Sequence, residues 1–167
     1  MKCRARLLYP FLRAAALSVA TIAAPCAAAP GDKGRITGLS DVAFGALTNL
    51  SIDQRASQSL CAYSSSAGGG YSITATGSGS AGAFTLSSGG SQLAYQVEWA
   101  DNPNQTSGTA LTAGTPLAGQ VSTASNQNCS PSPNTSASLI VVLPAAELGS
   151  ATTGAYSGTL TLVLAPL

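Results

Sequence analysis

Residues 71–77 of the chain read YSITATG, and this short stretch decides the fold class. Tyr71, Ile73 and Ala75 alternate with Ser and Thr, which is the period of two that a half-buried β-strand shows. Three glycines at 68–70 precede the stretch and predict a turn. The chain therefore enters a β-strand at Tyr71, and we expect the neighbouring segments to pair with it.

Working outward from this stretch, further short strands are separated by clusters of Gly, Ser, Asn and Pro. Residues 138–143 (SLIVVL) are almost continuously apolar, which predicts a central strand buried on both faces. Residues 144–148 predict a single helical turn, whereas 101–127 are mostly polar and rich in turn residues, with a short apolar segment at 116–121. The remaining predicted strands lie at 36–44, 59–63, 83–86, 93–99 and 159–164.

Six or seven short strands without any sustained helical period predict an all-β domain, an antiparallel β-sandwich. Two sheets are needed, because a single sheet of this composition would leave one apolar face in water. The length of 167 residues suits one domain. We place this domain at 29–167.

Residues 1–28 have the pattern of a secretory signal peptide. Four basic residues are followed by an apolar run at 14–24, which is too short to span a bilayer. Small residues before Pro30 favour cleavage after Ala28, although acylation of Cys26, as in a lipoprotein, is an alternative. We therefore expect an exported protein of the periplasm, the cell surface or the extracellular space.

Removal of the leader changes the charge balance. Only Lys33, Arg35 and Arg55 remain against all six acidic residues, so the net charge becomes −3. A chain of this charge lacks the basic face that nucleic-acid binding needs, and nothing in it attracts an anionic membrane. No later segment is apolar and long enough to span a membrane.

Two cysteines, Cys61 and Cys129, remain after the leader. An even pair in an exported chain predicts one disulfide. The alternative is a redox or metal-binding thiol pair, but such pairs usually lie close together in sequence.

The residue inventory argues against an enzyme. The chain has no His, which excludes Ser-His-Asp and Cys-His catalysis and histidine metal sites. Glu98 and Asp101 are the only close acidic pair that a glycosidase mechanism would need, and we interpret them as a solvated strand edge. We predict no catalytic residue, no metal and no cofactor, and a small secreted hydrolase is the least favoured hypothesis.

Three aromatic residues at strand spacing, Tyr71, Tyr95 and Trp99, suggest an alternative function. On an exposed face they would form a platform for stacking sugar rings, and the protein would be a secreted or periplasmic glycan-binding β-sandwich. In the interior they would be ordinary core residues.

Several runs resemble the spore coat protein U domain, a family that includes subunits of archaic chaperone–usher pili. They are VAFGAL at 42–47, YSITA at 71–75, LAYQVEWAD at 93–101 and, as the most specific, the closing GAYSGTLTLVL at 154–164. The resemblance covers most of 36–167.

This resemblance implies an immunoglobulin-like sandwich that lacks its last strand. An apolar groove would run beside 159–164, lined by Leu160, Leu162 and Leu164. A periplasmic chaperone would fill it first, with the Leu167 carboxylate near the chaperone's anchor, and a donor strand from the next pilus subunit would replace the chaperone at the usher. The protein would then be a structural or adhesive subunit.

One feature departs from the family pattern. If 36–44 is the first strand, only APGDKGR at 29–35 precedes it, and this segment lacks the apolar alternation that a donor strand needs. The family's usual first-strand cysteine is also missing. Either 36–44 is itself the donor strand, or the protein accepts a strand without donating one, as a tip or terminal subunit or a stand-alone domain would.

Overall fold

The computed structural model describes residues 31–130 and 134–167. The predicted signal peptide at 1–28 lies outside the described residues. Ten strands and one short helix follow each other in chain order: β1 (Gly34–Thr37), β2 (Gln54–Ser64), β3 (Gly70–Gly77), β4 (Thr85–Ser88), β5 (Ser91–Ala94), β6 (Gln96–Ala100), β7 (Thr109–Ala110), β8 (Leu117–Val121), β9 (Ala137–Leu143), α1 (Ala145–Leu148) and β10 (Leu160–Pro166). Two 3-10 turns, Ala67–Gly69 and Ser80–Gly82, lie on either side of β3.

The strands form an all-β fold, as the sequence predicts. One sheet has five strands in the order β1-β2-β9-β6-β7, and a second has three in the order β10-β3-β8, with antiparallel pairing throughout. A separate hairpin joins β4 to β5. In their order across the first sheet, β1, β2, β9 and β6 take the places of strands A, B, E and D of an immunoglobulin sandwich, and in the second sheet β3 and β10 take those of C and F.

The core lies between these two sheets. Inward-facing side chains of β2, β6 and β9 meet those of β3, with half-buried leucines of β10 and β8 at the margin. Trp99 and Tyr71 are the largest fully buried side chains. The apolar residues that alternate along 71–77 and 93–99 therefore lie in the sandwich interior, as their period of two indicates.

Strand β9 is buried along all seven residues, which confirms the prediction for 138–143. Its inward side chains enter the core, while a loop at 101–108 covers its outer face. Ser138 fixes this loop, because its hydroxyl accepts a hydrogen bond from the Gln105 amide (3.0 Å) and donates one to the Asn102 carbonyl (2.9 Å). The polar, turn-rich segment thus supplies the second cover that a central strand needs.

Several boundaries differ from the prediction. The run at 93–99 is divided at Tyr95 into β5 and β6, since Tyr95 donates its amide to Phe84 outside both strands. Strand β2 begins at Gln54, five residues before the predicted 59–63. The largest difference concerns 36–44, because β1 ends at Thr37 and residues 38–53 form no helix or strand.

The predicted disulfide is confirmed. Cys61 on β2 and Cys129 are joined with a sulfur–sulfur distance of 2.03 Å, and their Cα atoms are 5.7 Å apart. Both cysteines are buried. The bond links β2 to the segment that leads into β9, so it closes a loop that contains strands β3 to β8.

Candidate functional site

A cavity of about 1100 Å³ opens along one side of the sandwich. We call it the groove. Residues 38–47, which we call the strap, form one of its walls, and residues 151–162 form the other. The buried core side chains between these walls also line it: Leu93, Tyr95, Leu139, Val141, Leu143 and Leu148. An apolar interior that reaches the surface in this way is a candidate binding surface.

Strand β10 forms part of the second wall, and it is an edge strand. It pairs with β3 along seven residues, and no strand of the described chain pairs with its other side. Its side chains alternate between half-buried and exposed. The free backbone groups of such an edge are able to pair with another extended chain.

The three leucines predicted to line the groove do not all do so. Leu160 and Leu162 line the cavity. Leu164 lies at its closed end, against β1, where a Cβ added to Gly34 would be only 2.7 Å from Leu164 Cδ2. Because Gly34 has no side chain, β1 approaches β10 closely there, and the two walls separate after that point.

The strap leaves the five-stranded sheet at Gly38, which has a φ of +80°. Val42, Phe44 and Leu47 pack against the core from this segment. The strap's polar attachment is to one side chain on β2: Gln58 Oε1 accepts hydrogen bonds from the amide (2.9 Å) and hydroxyl (3.0 Å) of Ser40, and Gln58 Nε2 donates to the Ser40 carbonyl (3.1 Å).

The second wall is braced by hydroxyl groups at its polar rim. Tyr156 donates its hydroxyl to the Thr152 carbonyl (3.0 Å), and the Thr152 hydroxyl lies 2.8 Å from that of Ser91 on β5. Ser87 and Ser157 exchange two backbone hydrogen bonds. These contacts hold the chain ahead of β10 in place beside the groove.

The aromatic platform is wrong as a glycan site. Tyr71, Tyr95 and Trp99 are all buried in the core. Trp99 Nε1 donates to the Tyr71 hydroxyl (3.0 Å), and the rings meet edge to face with centroids 6.4 Å apart. Burial raises the pKa of Tyr71 to about 12 and also raises that of Tyr95. Tyr71 and Trp99 are enclosed and cannot stack on a sugar, and Tyr95, which borders the groove, is only 6% exposed.

Glu98 and Asp101, the close acidic pair of the sequence, lie in different surroundings: Glu98 is in an ion pair and Asp101 is in a loop. Glu98 on β6 reaches across β9 to Arg55 on β2, with nitrogen–oxygen distances of 2.9 and 3.0 Å. The Gly108 amide donates to the same carboxylate. The hydrogen bond from Arg55 lowers the pKa of Glu98 against the opposing effect of burial. Asp101 lies in the loop that follows and accepts only from the neighbouring Asn102.

Two kinds of feature are absent from the described parts of the chain. No group of three or more His, Cys, Asp or Glu side chains lies together there as a metal site would require. Within 31–130 and 134–167, no helix has the length and apolar character needed to cross a membrane.

No protein-family model matches this chain, and no curated protein matches it.

Sequence reasoning missed Gln58 and the strap. Gln58 has the same parity along β2 as the core residues Leu60 and Ala62, so its side chain points inward where an apolar residue is expected. A glutamine at an inward-facing position of a strand could have been recognised in the sequence as needing a hydrogen-bond partner, because buried polar groups are normally bonded. The strap supplies the partner.

Proposed function

We propose that the protein is an exported structural or adhesive subunit that is completed by an added strand, like the subunits of chaperone–usher pili. The observation that carries the proposal is the free edge of β10 beside an apolar groove. In this proposal the strand comes from a periplasmic chaperone or from another subunit assembled at an usher.

The strand order supports the position of the added strand. In an immunoglobulin sandwich the last strand, G, pairs with F, on the side of F that faces away from C. Here β10 takes the place of F and β3 that of C, and the described chain contributes no strand on the far side of β10. The free edge is therefore where the last strand of a complete sandwich would lie.

The chemistry of the groove supports an extended apolar ligand. Its core lining is aliphatic and aromatic, and Asp41 is the only charged residue among the residues that line it. A strand that pairs with β10 would direct every second side chain toward Leu139, Val141 and Leu143. The added strand should thus alternate apolar residues with residues of any solvent-compatible type.

The test measures thermal stabilisation by a synthetic peptide of about ten residues that alternates valine with threonine. For the protein purified after export from an expression host, saturating peptide should raise the Tm by about 5 °C or more. Two variants on adjacent residues of β10 give the matched comparison. Leu162→Arg places a charge in the groove, whereas Val163→Arg changes a side chain that is 56% exposed on the outer face.

We expect the peptide to stabilise the Val163→Arg variant as much as the unchanged protein and the Leu162→Arg variant much less. An equal Tm increase in both variants, or no increase in any of the three proteins, would contradict the proposal. Because each variant is compared with itself in the absence of peptide, a loss of intrinsic stability does not disturb the result.

A further inference from the structure

The strap lies beside the edge of β2 but forms no strand pairing with it. Strand β1 pairs with β2 in a constant register, from Gly34 opposite Ser64 to Thr37 opposite Cys61. No strand of the described residues continues this pairing along the first half of β2, because β1 ends at Thr37. The first half of β2 therefore has a partner, β9, on one side only.

The strap nevertheless keeps the register of β1. Continuing the register places Gly38 opposite Leu60 and Ser40 opposite Gln58. The structure shows both neighbours: a Cβ added to Gly38 would lie 3.8 Å from Leu60 Cα, and Ser40 is bonded to the Gln58 side chain. The strap is thus displaced sideways from β2 but not shifted along it.

The backbone groups that the strap leaves unused can be identified from the alternation of β2. The Leu60 carbonyl and the Ala62 amide bond to Ser136, on the side of β9. The odd-numbered residues face the other way, since the Ser65 amide donates to the Lys33 carbonyl on the side of β1. By this alternation, the residues of β2 that direct their amides and carbonyls toward the strap are Arg55, Ser57 and Ser59.

The sequence of the strap suits pairing with that edge. The period of two begins in β1 at Ile36 and continues through Val42 and Phe44, beyond the end of the observed strand. In the continued register, Leu39, Asp41 and Ala43 would face Ser59, Ser57 and Arg55 and exchange backbone hydrogen bonds with them. Val42 and Phe44 would still point inward.

We propose that the strap has a second state, in which residues 38–44 pair with the free edge of β2 and extend β1 to Phe44. Gln58 holds the observed state, because its inward amide bonds Ser40 and draws the strap over the core. The left-handed conformation of Gly38 provides the bend. The inference rests on the proposed function in one respect: an added strand in the groove would favour the second state, since the strap would then give it a second strand neighbour.

Two substitutions should shift the strap toward β2 without any peptide. Gln58→Val removes the bonds to Ser40. Gly38→Ala disfavours the bend by roughly tenfold, because a side chain strains a positive φ, and the space around Gly38 accepts a methyl group. Gln92→Val, at an exposed glutamine on β5 outside the groove, is the control.

The measurement is residue-resolved amide hydrogen exchange by NMR. In both variants, the amides of Leu39, Asp41 and Ala43 should exchange at least about tenfold more slowly than in the unchanged protein and in Gln92→Val. Unchanged exchange at these three amides in both variants would overturn the proposal. Since the variants act independently, a folding failure of one leaves the other as the test.

The valine–threonine peptide separates this inference from the proposed function. Slower exchange in the variants without stabilisation by the peptide supports the two-state strap and counts against the added strand. Stabilisation of the unchanged protein with no change at Leu39, Asp41 and Ala43 overturns the coupling of the strap to the groove. Stabilisation together with slower exchange at these amides supports both.

Discussion

Strands β9 and β10, which with their surroundings we call the β9 flank and the β10 flank, are apolar strands of equal length that differ in how the rest of the chain covers them. Strands β9 and β10 each have seven residues. Strand β9 has β2 on one side, β6 on the other and the 101–108 loop over its outer face, and every residue in it is buried. Strand β10 has β3 on one side only, and its leucines are half-buried, with Leu160 and Leu162 lining the groove.

The difference lies in the neighbours rather than in the strands. A run of Leu, Ile and Val is buried on both faces only when the rest of the chain covers it. For β9 the polar loop provides the cover, with Ser138 as its attachment. For β10 the strap forms only the opposite wall of the groove, where Gln58 bonds to it and it makes no strand pairing. The edge of β10 is therefore where the proposed added strand would pair.

The largest expected effect tests how the β9 flank is held. Replacing both Cys61 and Cys129 with Ala should lower the free energy of unfolding by about 4 kcal/mol, because the disulfide closes a loop with a sequence separation of 68 residues. Urea denaturation followed by tryptophan fluorescence measures this, since Trp99 lies in the core.

The unchanged protein treated with a thiol reductant is the matched control, and its stability should fall by the same amount. A loss below about 1 kcal/mol in the double variant would mean that strand pairing alone holds β2 to the segment before β9. The contrast between the two flanks would then rest on packing and hydrogen bonds only.

A second test compares the same substitution on the two flanks. Leu60→Ala removes a fully buried side chain from β2 and should cost about 3 kcal/mol. Leu162→Ala removes a half-buried side chain that already borders open space, and about 1 kcal/mol is expected because less apolar area is lost. Urea denaturation of both variants gives the difference, and equal costs would show that the groove flank packs as tightly as the core.

Much of the fold could be predicted from the sequence, but the end of β1 and the path of the strap could not. Alternation at 71–77 and the continuous run at 138–143 depend on local periodicity, so they could be interpreted without knowledge of neighbours. Strand β1 ends at Thr37, and just beyond this end Ser40 bonds to Gln58, a residue 18 positions away in sequence. Periodicity alone extended the predicted strand to Phe44, because such a contact between distant residues leaves no mark on the local pattern.

The candidate site was predictable to a similar degree. Leu160 and Leu162 line the groove, yet Leu164 does not, because the approach of β1 at Gly34 closes that end. The aromatic residues were ambiguous from spacing, since an inward and an outward face have the same period. Only the packing of the two sheets against each other, which brings Trp99 on β6 to Tyr71 on β3, decides that they form the core.

The smallest expected effect concerns the outer face of the five-stranded sheet, where Arg55 and Glu98 join β2 to β6 across β9. Glu98→Gln should lower the free energy of unfolding at pH 7 by about 0.5–1 kcal/mol, the range of a partly exposed ion pair. Because the pKa of Glu98 is lowered in the folded state, its stabilising contribution is present above the ordinary glutamate value of about 4.3 and is lost as the pH falls through the lower folded value. The difference in unfolding free energy between the two proteins should therefore shrink below about pH 4 in urea denaturation series.

Glu147→Gln, at a carboxylate outside the one ion pair found in the described chain, should show no comparable difference at pH 7. A Glu98→Gln deficit of the same size at acidic and neutral pH would assign the effect to side-chain shape and to the Gly108 hydrogen bond, and the charge would then add nothing to the β9 flank.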